Sequence, residues 1–149
     1  MQKKYRVIIS VLNVLLLCFV IVAVSLAFIY NTQLIGFVLI VLSIISLLSL
    51  KLFGVKISST KPDVIFGVID NGVLALMAVV GGKLTGVAGA IAGGVVGNAV
   101  TDGIAGLFEG YMAESMADDR RTILGSAVGK MAGCLLGAGL VLMLVSVFT

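Results

Sequence analysis

Three carboxylates, Asp70, Asp102 and Glu109, lie well inside stretches of this chain that are otherwise glycine-rich and apolar. A carboxylate near the centre of a lipid bilayer costs about 2.5–3.5 kcal/mol even on lenient insertion scales, so packing alone is a weak reason to keep three. Handling a cation is the stronger reason. At helical spacing, Asn98, Asp102, Ala105, Glu109, Met112 and Met116 fall in one narrow stripe of a single helix. Asp63, Asp70 and Met77 share a face of another, with Asn71 adjacent. Carboxylate and carboxamide oxygens suit hard divalent ions, and thioether sulfur adds a preference for softer transition metals. Asp70, Asn98, Asp102, Glu109, Met77 and Met112 are therefore expected to meet Fe²⁺ or Mn²⁺ rather than Ca²⁺ or Mg²⁺. A carboxyl in such a setting can exchange a proton for a cation, because desolvation favours its neutral form and a bound cation its charged form.

Blander roles compete at several positions. Asp63 and Glu114 lie near the expected membrane ends and read as helix-end charges, Asp63 with the added favour of the helix macrodipole. Met77, Met112 and Met116 also serve as ordinary apolar filler. Lys130 either pairs with Glu109 or Asp102 or extends its ammonium to the headgroups. Cys18 and Cys134 fall in apolar segments as small hydrophobes without a partner at metal-ligand spacing, so no disulfide is expected.

The elements that must position these residues are membrane-spanning helices. Hydrophobic residues make up 60% of the sequence, charged ones only 11%, and the mean hydropathy is +1.27. A length of 149 residues leaves room for about five spans of roughly 20 residues each, an all-α polytopic fold with no second soluble domain. The expected spans are 5–30, 34–50, 63–81, 87–116 and 122–148. Residues 1–53 form an N-terminal hairpin turning at Asn31-Thr32-Gln33, and residues 63–149 a three-helix core entered through Pro62, which suits a first helical turn. Turns are expected at 81–86 and 117–121. Gly89, Gly93 and Gly97, and Gly125, Gly129, Gly133 and Gly137, recur every four residues, which lets helix backbones approach closely in lipid. These last two helices are expected to pack with each other or across a dimer.

Lys3, Lys4, Arg6, Lys51, Lys56, Lys61, Arg120 and Arg121 fall on one side of this arrangement and Lys83 on the other. The positive-inside rule then puts the N-terminus in the cytoplasm and the C-terminus outside. The same rule accounts for the net charge of +3, so no nucleic-acid partner follows from it. A cleaved signal peptide ending near Ser25-Leu26-Ala27 is the rival for the first segment, whose apolar run is longer than a typical signal core.

Enzymatic chemistry finds little to work with. The chain has no histidine, which removes imidazole bases and most zinc sites. Gly81-Gly82-Lys83-Leu84 lacks the spacing and hydroxyl of a phosphate-binding loop. Asp70 and Asp102 supply two aspartates for an intramembrane hydrolase, but the flanking residues carry no further catalytic signature.

Two segments carry a family resemblance. Asp63-Val-Ile-Phe-Gly-Val-Ile-Asp70-Asn71-Gly72, and Ala105-Gly-Leu-Phe-Glu109-Gly110-Tyr111-Met-Ala-Glu114-Ser, resemble the first and second transmembrane helices of the vacuolar iron transporter family. The resemblance covers about residues 63–121. It implies a homodimeric transporter moving Fe²⁺ or Mn²⁺ out of the cytosol in exchange for protons, with Asp70 on the pathway and no resident cofactor. The glutamate-rich cytoplasmic helices of many members are replaced here by Ala117-Asp118-Asp119-Arg120-Arg121, and Tyr5 to Leu50 has no obvious counterpart. A membrane assembly or scaffold subunit without transport, and a passive cation channel, are the competing expectations.

Overall fold

The computed structural model describes the backbone of residues 2–115 and 122–148 and the side chains of 7–104, 107 and 122–147. Met116 and the expected turn at 117–121 lie outside the described residues. Within them the chain is helical, with no strand. Five helices follow in order: α1 (Gln2–Phe28), α2 (Ile35–Leu52), α3 (Lys61–Thr85), α4 (Val87–Ser115) and α5 (Ile123–Phe148), with a 3₁₀ turn at Ile57–Thr60 ahead of α3. Each of the five is long and apolar enough to cross a membrane.

Local chemistry accounts for the breaks. At the α1–α2 turn, Asn31 Oδ1 accepts the Leu34 N–H at 3.1 Å, and the Asn31 carbonyl accepts the Ile35 N–H at 2.9 Å. Pro62 sits in the first turn of α3, where a missing N–H costs nothing. The α3–α4 turn differs from expectation: the segment 81–86 does not unwind, and α3 continues to Thr85, leaving Gly86 alone to reverse the chain at φ 68°. Gly86 N–H closes the helix onto the Gly82 carbonyl at 2.8 Å. Gly81 has a different use. A methyl group on it would collide with the Gly89 carbonyl, so this glycine lets α3 and α4 touch just after the turn.

Helix α3 is the axis of the molecule, with α4 packed on one side and α5 on another. Along α4, Gly89 meets Gly81, Gly93 meets Met77, and Gly97 meets Leu74. Along α5, Gly129 meets Thr60 and Asp63, Gly133 meets Val64 and Gly67, and Gly137 meets Val68. Residue numbers rise together in the α3–α5 pair and run oppositely in the α3–α4 pair, so α5 is parallel to α3 and α4 antiparallel. Within one chain the expected packing of the last two helices with each other does not occur: among the described residues α4 and α5 do not meet, and Gly89, Gly93 and Gly97 of α4 and Gly133 and Gly137 of α5 face α3. Periodicity marked the faces capable of close approach, but it does not specify the helix that comes against them.

Helix α2 lies antiparallel along α5. Ser43 Oγ donates to the Ala132 carbonyl at 2.7 Å, and Gly36 and Gly139 bring the two backbones together near the other end. Leu17 of α1, Leu50 of α2, and Leu124 and Val128 of α5 form a buried apolar cluster. Helix α1 otherwise presents Leu12, Leu15, Leu16, Phe19, Val22 and Leu26 to the surroundings. Such a surface suits lipid far better than water, where apolar patches of this extent are rare.

Candidate functional site

Asp70 occupies the middle of the three-helix core. Its α3 position turns the carboxylate into the bundle, where it is 9% exposed. Thr101 of α4, 1% exposed, donates its hydroxyl to Asp70 Oδ1 at 2.5 Å. Asn71 Nδ2 reaches Asp70 Oδ2 at 3.3 Å. From α5, Cys134 brings its half-buried thiol beside the Asn71 carboxamide. A carboxylate, a carboxamide, a hydroxyl and a thiol from three helices thus converge. Among the described residues the hydrogen-bond partners of Asp70 are a hydroxyl and a carboxamide, neither of them a cation.

The Thr101 hydroxyl has one hydrogen and three acceptors in reach, because the carbonyls of Gly97 and Asn98 lie 3.0 and 3.1 Å from it. Donation to a carboxylate is the strongest of these options. Gly97 in the preceding turn of α4 makes this approach possible: a methyl group there would stand 3.0 Å from Leu74 Cα and 3.2 Å from Met77 Cβ.

Asp102, one residue after Thr101, is level with Asp70 but turned outward. It is exposed, and Asn98 Nδ2 donates to its Oδ2 at 2.8 Å one helical turn away. Asp70 and Asp102 therefore share a depth, about 14 Å along α3 from Lys61 and about 24 Å from the Gly86 turn at 1.5 Å per residue. They do not share a contact. Met77 is half-buried beside Gly93 and Gly97 on the α3–α4 contact, almost two turns from Asp70 along the helix. Glu109 and Met112 lie on α4, and their side chains are outside the described residues. The six expected ligands thus divide into Asp70 within the core, Met77 in the α3–α4 contact, Asn98 and Asp102 on the outer side of α4, and two whose placement is not described. Among the described residues no three His, Cys, Asp or Glu side chains gather as a metal cluster.

A second polar group lies one to two turns from Asp70, toward the start of α3. Asp63 is 2% exposed, and Ser126 of α5 donates to its Oδ1 at 2.8 Å. The helix-end reading of Asp63 is thus only half of its environment. It does stand in the first turn of α3, but beneath α5 rather than in solvent. Lys130, one turn after Ser126, sets its ammonium 4.6 Å from the centroid of the Phe66 ring, a cation–π contact. Lys130 is not brought beside Asp102, since α4 and α5 do not meet among the described residues.

Ser126, Lys130 and Cys134 recur every four residues along α5, facing Asp63, Phe66 and Asn71 on α3. In the sequence Cys134 reads only as a small hydrophobe, and Thr101 and Ser126 are assigned no role, because each type is common as neutral filler in apolar helices. Their spacing was the only signal: Thr101 adjoins Asp102, and the α5 trio marks a single helix face.

No protein-family model matches the chain, and neither a curated protein nor a solved structure matches it.

Proposed function

We propose that this chain is a multi-pass membrane transporter of a divalent transition metal, Fe²⁺ or Mn²⁺, coupled to protons through Asp70. The observation that carries the reading is the setting of Asp70: a buried carboxylate midway along an apolar helix, bonded to neutral groups rather than to a cation. A carboxyl so placed can alternate between a proton and a metal ion, because both neutralise it. The oxygens of Asp70, Asn71 and Thr101 suit a divalent ion, and the Cys134 thiol favours a transition metal over Ca²⁺ or Mg²⁺. The resemblance of residues 63–121 to the vacuolar iron transporter family supports the same cargo and a homodimer, and the distribution of Lys and Arg supports a cytoplasmic N-terminus.

A scaffold without transport is the second reading. It is favoured by the hydrogen bond from Thr101 of α4 to Asp70 of α3, which is how polar side chains join helices in lipid. Uptake of Fe²⁺ and Mn²⁺ into liposomes containing the purified protein separates the two readings. Flux that requires a pH gradient and is lost in Asp70→Asn supports the transporter. Folded, inserted protein that moves neither metal supports the scaffold.

A further inference from the structure

The outer side of α4 carries a seam that the fold of one chain leaves uncovered. Ala88, Ile91, Val95, Asn98 and Asp102 follow one another at alternating spacings of three and four, the pattern by which one helix packs along another in a left-handed pair. This seam is turned away from the glycines that meet α3: Ile91 and Val95 are 63% and 64% exposed, and Ala88 and Asp102 are exposed as well. Apolar residues in it need no partner in lipid. Asp102 does, because it is level with buried Asp70 and its only hydrogen-bond partner in the described chain is Asn98.

We infer that this seam is the contact between two copies of the chain, with α4 pairing in parallel against its two-fold mate. A second copy is the occupant whose chemistry fits. The Asn98 carboxamide has two hydrogens and uses one on its own Asp102, so a two-fold mate offers each carboxylate another amide donor and each amide another acceptor. The Asn98–Asp102 pair therefore complements itself in hydrogen bonding between neighbouring layers of the seam, Asn98 of each copy to Asp102 of the other, against the like charge of the two carboxylates across the axis. It also fixes the register, as a polar residue within an apolar seam does in other paired helices.

The test is disulfide cross-linking in native membranes, on single-cysteine variants of a chain carrying Cys18→Ala and Cys134→Ala. Ile91→Cys and Val95→Cys lie in the seam, whereas Val96→Cys and Val100→Cys are exposed but lie outside it, more than a quarter-turn around the helix. The seam variants are expected to form covalent dimers at least about tenfold faster, because bridging needs Cα atoms within about 7 Å. Equal rates, faster cross-linking at Val96 or Val100, or no dimer from any of the four overturns the inference. In detergent, Asp102→Ala is expected to shift the monomer–dimer equilibrium about threefold or more toward monomer while Asp102→Asn holds it. An unchanged equilibrium in Asp102→Ala removes the polar pair from the contact. The inference is independent of the transport reading: protein that cross-links at Val95 but moves no metal keeps the seam and loses only transport.

Discussion

Replacing Thr101 with valine deletes one hydroxyl and puts a methyl group of similar size in its place, so it tests the bond that joins α3 to α4. Both partners are buried, Thr101 at 1% and Asp70 at 9% exposure, and the bond measures 2.5 Å. A hydrogen bond to a charged group is worth about 1.5–3 kcal/mol in proteins generally, while bonds between membrane helices average about 0.6 and reach about 1.7 kcal/mol. The buried carboxylate puts this one at the upper end for membranes, about 1.5 kcal/mol, or roughly tenfold in the unfolding equilibrium constant. With Asp70→Ala already in place, the hydroxyl falls back on the Gly97 and Asn98 carbonyls it already approaches at 3.0 and 3.1 Å. There Thr101→Val should cost below about 0.5 kcal/mol, giving a coupling of about 1 kcal/mol. Reversible unfolding of the four proteins in mixed micelles measures the cycle. Equal costs of Thr101→Val with and without Asp70 would show that the two side chains do not interact, and would remove Thr101 from the site.

Other perturbations probe the packing around that bond. Gly133→Ala drives a methyl group into the Val64 carbonyl and should destabilise by about 1–3 kcal/mol, as overpacking does, whereas Gly103→Ala meets nothing within 4 Å and should leave stability within about 1 kcal/mol. The same micelle unfolding ranks the two, and the opposite ranking would contradict the α3–α5 contact. Ser43→Ala leaves the Ala132 carbonyl without its α2 donor and should cost about 0.6–1.7 kcal/mol, seen as earlier loss of helical signal in a denaturant titration. Gly86→Ala places a side chain at φ 68° and should cost about 1 kcal/mol or more without altering metal flux, since the turn is remote from Asp70. Liposome uptake beside unfolding checks both halves of that expectation.

The sequence by itself determined the helices and their order. Apolar length, the polar turn at Asn31 and the placement of Pro62 act over a few residues, and a helix in lipid must satisfy its own backbone, so these elements follow from local chemistry. Helical spacing likewise showed that Asn98 and Asp102 share a stripe and that the α5 glycines share a face. It did not show which way either one turns, because spacing fixes positions relative to one another on a helix and leaves the rotation of that helix among its neighbours open. Only the tertiary structure decided that both glycine faces close on α3, and that Gly81 and Gly82 continue a helix instead of ending it. The bonds Asp63 to Ser126 and Asp70 to Thr101 join residues 63 and 31 positions apart. Such a contact exists only once two helices are set side by side. This is why two adjacent residues of α4 part company, Thr101 sealed against Asp70 and Asp102 facing outward: a step of one residue turns a side chain just over a quarter of the way around the helix.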